Sequence, residues 1–493
     1  MRIVFAASEC VPFAKTGGLA DVVGALAPEI AKLGHTVTVY MPLYRQVRPY
    51  VEDKNEDDTE SELNYAVRSI TIPFESYNRF AGIVDGGMRA GVQYYFVDCP
   101  AMFDREELYG PGGGDYADNA ERFGLFCRTV LEAAKQLGVP DVFHVHDWQA
   151  AMVPVYLRTV YANDPMLRGA ATVLTIHNAG YQGKFPPETT RRLLLPWSIF
   201  TMEKVEQFNQ FNFLKGGLVY SDLLTTVSRK YAEEIQTAEF GEQLDGVLRN
   251  RAADLRGILN GVEYEKWGPE TDETLAAHYT AEDLTGKTVC RADLLNAFGL
   301  EQIKDSTPVI GIVSRFATQK GFDLVQQIAG PLSERDVAVV ALGTGEAAFE
   351  KFFRGWAFQQ RGNVAVQIRY DDALAHKIEA GADIFLMPSR YEPCGLNQIY
   401  SLKYGAVPVV RATGGLDDTI DEWNAELGTG TGFKFSEYDA QQLLAAIDRA
   451  LESFRDKQSW QRLMRNGMTR DYSWKNPALE YEAVYDEAAR RRT

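Results

Sequence analysis

Cysteine is scarce in this chain: five residues (Cys10, Cys99, Cys127, Cys290 and Cys394) among 493, odd in number and never spaced CxxC. That excludes a disulfide framework and a thiolate zinc site, and fits reduced thiols in a cytosol. Long apolar runs are absent as well, none approaching the length of a membrane span. The N-terminal MRIVFAAS is too short for a signal-peptide core and is followed by KTGGLADVVG where a cleavage site would stand, so a buried first strand is expected. Positive charge is outweighed, 51 Lys and Arg against 68 Asp and Glu, a net −17. Such a surface argues against wrapping nucleic acid or lying on anionic lipid, while a neutral polymer would meet no repulsion. A Walker A loop is missing too.

What is present is enough apolar residue, 45%, to bury more than one core, and the length favours two domains. Ile3–Ala7 has strand length, and Leu19, Val22, Val23, Leu26, Ile30 and Leu33 then recur at helical spacing. Thr36–Met41 reads as the next strand, which makes a βαβ unit and predicts a parallel sheet. YYFVD (94–98), VFHVH (142–146) and ATVLTIH (171–177) continue the series as strands ending in polar residues. A second series follows RGILNGV (256–262): PVIGIVSRF, VAVVALG, VAVQIRY, DIFLMPS and VPVVR, with helical spacers. Two Rossmann-like halves are expected, divided at 255/256, with a C-terminal amphipathic helix from 474 onward. The acidic stretch 52–62 reads as a solvated loop.

Chemistry concentrates where these strands end. KTGGLAD (15–21) lies between the first strand and first helix, on the edge where ligands bind in such sheets. Gly17 and Gly18 let backbone amides approach an anion, and Lys15 supplies a charge for phosphate. The stretch is neither GxGxxG nor a P-loop, and by itself reads equally as a structural turn. HVHDWQ (144–149) and TIHNAGYQG (175–183) end strands on the same edge with groups able to donate to and accept from sugar hydroxyls. HxHD also resembles part of a zinc site, but nothing else supplies the remaining ligands, so no metal is expected. In the second half, Arg315 and Lys320 of SRFATQKG would clamp a diphosphate, one as a fork and one as a charge. RYEPCGLNQ (390–398) brings Glu392 next to the start of a helix, and Cys394, lacking any His or Asp partner motif, reads as a packing residue.

Taken in order, KTGGLADVVGAL, HVHDW, TIHNAGYQG, FNFLKGGLVYSD, LNGV, SRFATQKG, SRYEPCGLNQ and RATGGLDDT resemble glycosyltransferase family 5, the bacterial glycogen synthases and plant starch synthases. The resemblance implies a GT-B fold: α/β, two Rossmann-like domains facing across a cleft, with the C-terminal helix crossing back to the N-terminal domain. It implies retaining transfer of glucose from ADP-glucose to the non-reducing end of an α-1,4-glucan, in the cytoplasm, with no cofactor and no metal. Nucleic acid and membrane are not implied partners, and the oligomeric state stays open. Carried over residue by residue, it makes Lys15, Gly17, Gly18 and Asp21 donor-binding, Asp147 acceptor-orienting, and His177 with Asn178 contacts of the reacting glucose. Arg315 and Lys320 become the cations on the leaving diphosphate, and Glu392 the essential carboxylate. Cys394, Gly395, Leu396 and Asn397 form the turn that holds the distal phosphate, Tyr370 lies along the adenine, and Asn260 reaches the donor from the hinge. A UDP-glucose-dependent relative and an inactive glucan-binding homologue are the alternatives. Strand aromatics such as Tyr94, Tyr95 and Trp148 are expected in the core more than on sugar.

Overall fold

Strand Arg2–Ala6 is buried at every residue but its first. An apolar run needs such cover when helices lie on both faces of a parallel sheet. The computed structural model describes residues 1–53 and 62–492. The chain forms two compact units: Met1–Val227 with Ala232–Gly261 and Trp474–Thr493, and Ser228–Tyr231 with Val262–Ser473. The first unit thus runs past 255 to Gly261, because Leu255–Gly257 is itself a strand paired with Leu223–Thr226.

In the first unit nine strands make one sheet, in the order 255–257, 223–226, 171–176, 142–146, 2–6, 36–42, 92–98, 78–89, 65–73. All neighbours are parallel except the last two pairs, where Asn78–Arg89 and Tyr65–Pro73 run antiparallel. This extension was absent from the sequence reading. Its outer strand alternates between half-buried and exposed residues over much of its length, a weaker apolar signal than the central strands carry. The acidic stretch read as a loop lies mostly outside the described residues. Its flanks, Glu52–Asp53 and Glu62–Leu63, pair antiparallel.

The second unit holds six parallel strands in the order 364–367, 338–342, 309–313, 384–387, 407–411, 433–435. In both sheets the chain starts in the middle, builds one way, and then returns to build the other way. The reversal falls between 2–6 and 142–146 in the first unit, and between 309–313 and 384–387 in the second. Ligands of doubly wound sheets bind beyond the carboxyl ends of strands at that reversal.

The last helix, Lys475–Arg490, belongs to the first unit. Tyr481 and Tyr485 on it are fully buried, and the Tyr485 hydroxyl lies 2.8 Å from His144 Nδ1. Beyond it, Arg491 pairs with Asp254 at 2.6 Å and Arg492 with Asp222. Among the described residues no helix is long and apolar enough to cross a membrane.

Candidate active site

In the first unit, the two strands at the reversal deliver the KTGG turn and the HDW turn to one edge. Helix Gly18–Lys32 starts directly after Gly17, and Lys15, Thr16, Gly17 and Gly18 are all exposed. The Lys15 ammonium lies 2.8 Å from the Asp21 carboxylate one turn into that helix. An exposed pair of this kind contributes little stability, so Lys15 is held lightly. Gly17 and Gly18 have open space where a Cβ would stand. The amides of Thr16 and Gly17 are already engaged: both donate to the buried carboxylate of Glu9, at 2.5 and 3.2 Å. Glu9 went unnoticed in the sequence, because a lone acid before a glycine turn carries no motif.

Strands Val142–His146 and Ala171–Ile176 are paired in register, His146 opposite Thr175. That places the HDW and HN turns side by side. Asp147 adopts φ +54°, and its Oδ1 accepts the backbone N–H of His177 at 2.7 Å. Removal from water pushes the Asp147 carboxyl up to about 7, opposed by bonds from the amides of His177 and Asn178. The His177 ring lies 3.0 Å from His146 Nδ1 through its Nε2, and burial lowers it to about 3. His144 and His146 are also held well below the usual imidazole range, first by burial and then by the neighbouring rings. All three are therefore neutral at physiological pH, suited to hydrogen bonding and not to carrying charge. Asn178 Oδ1 accepts from Gly180 N–H at 2.9 Å, and Asn260 is buried with no partner for its Oδ1 among the described residues. Trp148 packs against Phe123, Phe185 and Phe213, and Tyr94 against Phe13, so both belong to the core. Half-buried Tyr95 packs against Tyr40.

In the second unit, the strands at the reversal end in SRFATQKG and PSRYEPCGL. Glu392 is buried, and its Oε2 accepts from Lys320 Nζ at 2.6 Å and from Ser389 Oγ at 3.0 Å. Arg315 is exposed, and its guanidinium makes no hydrogen bond or ion pair among the described residues. Gly395 holds φ +70°, a left-handed turn that leads through Leu396 into helix Asn397–Lys403. Asn397 donates to the Val313 carbonyl at 3.2 Å, tying that helix to the end of the neighbouring strand. Cys394, directly before Gly395, is buried. Tyr370 is 84% exposed in the segment that follows strand Val364–Gln367, and the adjoining Arg369 pairs with Asp371 at 2.8 Å.

The second TGG, Thr413–Gly415, supports Glu392 from behind. Gly415 N–H donates to the Glu392 carbonyl at 3.1 Å. A Cβ on Gly414 would lie 1.9 Å from that same carbonyl oxygen, and one on Gly415 1.9 Å from the Cys394 carbonyl. These glycines are required by close backbone approach, unlike Gly17 and Gly18. Among the described residues no three His, Cys, Asp or Glu side chains are grouped as metal ligands.

This architecture is shared with solved structures. Sucrose-phosphate synthase of Thermosynechococcus elongatus superposes with a TM-score of 0.58 at 16% identity over 99% of both chains, a likeness of fold alone. The catalytic domain of starch synthase IV from Arabidopsis thaliana, solved with ADP and acarbose, superposes with a TM-score of 0.87 at 31% identity, again over 99% of both chains. The protein is a glycosyltransferase of the GT-B class. Residues 2–250 match the starch synthase catalytic domain family, and 297–467 match glycosyl transferases group 1. The glycogen synthase of Koribacter versatilis is 58% identical over 99% of this chain and 98% of its own, and that of Anaeromyxobacter dehalogenans (strain 2CP-1) is 46% identical over 98% of each. The chain belongs to the glycogen and starch synthase family, and its activity is glucosyl transfer.

Proposed function

We propose that the donor is ADP-glucose, that the acceptor is the non-reducing end of an α-1,4-glucan, and that transfer retains the anomeric configuration without a metal or cofactor. A relative solved with ADP and acarbose supports an adenine nucleotide and an oligosaccharide-like acceptor. The observation that carries the reading furthest is the buried Glu392 with Lys320 on its Oε2 at 2.6 Å. A carboxylate and an ammonium at a strand end suit a reaction in which a sugar turns cationic while a diphosphate departs.

A diphosphate is already a good leaving group, so the paired acid and base of a glycosidase are not needed. In this reading Arg315 and Lys320 stabilise the charge growing on the departing oxygen, and the turn Gly395–Asn397 takes the distal phosphate. Lys15 and Gly18 are assigned to donor phosphate. His177, neutral at working pH, hydrogen-bonds the glucosyl group, Asn178 supports it, and Asp147 orients the acceptor. Glu392 faces the glucose and balances the oxocarbenium-like charge. The leaving phosphate removes the acceptor proton, on the same face that the new bond forms. Tyr370 and Asn260 are assigned to the nucleotide and donor.

Turnover with ADP-glucose and UDP-glucose, read as labelled glucose entering glycogen, tests the donor. Equal or faster transfer from UDP-glucose overturns that part of the reading. A glucosyl adduct trapped on Glu392 would replace same-face transfer by a covalent route.

A further inference from the structure

The carboxylate of Glu9 is 3% exposed and receives four donors. Thr16 N–H reaches it at 2.5 Å, Thr16 Oγ1 at 2.6 Å, Gly17 N–H at 3.2 Å and the Tyr109 hydroxyl at 2.5 Å. Tyr109 is itself held by Ser8 Oγ at 2.8 Å. A two-glycine turn on the surface is among the loosest backbone a chain can offer. Here it is pinned from beneath by an acid seven residues before Thr16, and through Tyr109 to a segment about a hundred residues away.

We propose that Glu9 is the positioning residue of the KTGG turn. By engaging the amides of Thr16 and Gly17 it leaves Lys15 and the amide of Gly18 as the groups that meet the donor's phosphate. The inference rests on the proposed reading of this turn as a donor-phosphate site. Gly18 is the first residue of its helix, where an amide lacks an intrahelical partner, and the space where its Cβ would stand is empty within 4 Å. Among the described residues, exposed Lys15 pairs with half-buried Asp21, a partly solvated contact that holds it lightly. Ordering the turn in advance lowers the entropy lost when a phosphate binds. Because all four donors point at Glu9, the buried carboxylate is anchored in the fold and does not compete as a mobile anion.

Glu9→Gln keeps the shape but turns one oxygen into an N–H₂ donor facing other donors, so the clamp is broken. Hydrogen exchange at Thr16 and Gly17 should accelerate, while the glucan KM stays unchanged. kcat/KM for ADP-glucose should fall roughly tenfold or more, the scale of losing a charged hydrogen-bond acceptor. Tyr109→Phe removes one of the four donors and should shift the same readouts in the same direction by less. It serves alone if the glutamine variant does not fold. Faster exchange with unchanged or tighter ADP binding, measured by calorimetry, overturns the inference. So does a loss shared equally by donor and glucan parameters, which is the mark of a merely structural role. Lys15→Ala is run alongside. If it too leaves ADP binding unchanged, the reading of the turn as a phosphate site fails; if it weakens ADP while Glu9→Gln does not, only the role of Glu9 fails.

Discussion

Lys320 Nζ lies 2.6 Å from Glu392 Oε2, although the two residues come from different strand ends. Ser389 shares the same oxygen, so the carboxylate is partly neutralised before any ligand arrives. On the proposed mechanism Lys320 carries charge in the transition state. Lys320→Ala should lower the transfer rate about a hundredfold, as loss of an oxyanion-type donor does. Glucan affinity, measured by retention on a glycogen gel, should hold. A drop in glucan affinity equal to the loss of rate would remove Lys320 from the leaving-group role.

The two TGG turns should respond oppositely to alanine. Gly17→Ala meets no atom within 4 Å, and its φ of −155° suits any residue. Its melting temperature should match the wild type. Gly415→Ala would push a methyl against the Cys394 carbonyl at 1.9 Å, and Gly414→Ala would do the same at Glu392 with φ +46°. Either should destabilise by about 1–3 kcal/mol and displace Glu392, with activity falling more than stability. Differential scanning calorimetry beside initial rates decides this. A normal Tm and rate for Gly415→Ala would contradict the close packing.

Asp147 sets a pH dependence of stability. Its carboxyl is raised to about 7 in the fold, so folding favours the protonated form. The stability this brings is complete below the unfolded value of about 4 and is lost as pH rises to about 7. Asp147→Asn lacks the change, and its Oδ1 still accepts the His177 amide. Relative to it, the wild-type Tm should decline between about pH 4 and 7 and then run parallel. Parallel curves across that window would show an ordinary, solvated carboxylate.

Tyr485 should be worth more than its hydrophobic area. Its hydroxyl meets His144 Nδ1 at 2.8 Å inside the first unit, and His144 Nε2 meets Thr175 Oγ1 at 2.6 Å. Tyr485→Phe strands a buried ring nitrogen and should cost about 1–3 kcal/mol in urea unfolding. An unchanged midpoint would mean that water replaces the hydroxyl.

Most central strands of both sheets were legible because such strands are continuous apolar runs, and Arg2–Ala6, Val142–His146 and Val309–Val313 fall where those runs stand, whereas the short strands Leu223–Thr226 and Phe433–Phe435 were not read. The hairpin Tyr65–Arg89 and the edge strand Leu255–Gly257 were not, since edge strands bury less and their pattern is weaker. Candidate residues were legible through motifs at strand ends, which is why Lys320, Glu392 and His177 could be singled out before any geometry. Glu9 had no such marker, and His146 was visible only as part of HVHDWQ, with no role of its own. The place of Glu9 is set by donors from Thr16, Gly17 and Tyr109, and that of His146 by its contact with the His177 ring.

The local chemistry was therefore determined by the sequence itself: which segments are strands, which turns carry glycine, and which ends carry cations, imidazoles and acids. Tertiary structure alone decided which ends lie together. The strand that begins at Arg2 pairs with the one that begins at Val142, and the strand at Val309 with the one at Ile384. Periodicity reaches only a few residues along a chain, whereas such pairings are settled by burial of both sheet faces across long stretches of intervening chain. The same reason separates the two TGG turns. They are nearly alike as sequence, but one lies open above Glu9 and the other is pressed against the backbone of Glu392 and Cys394.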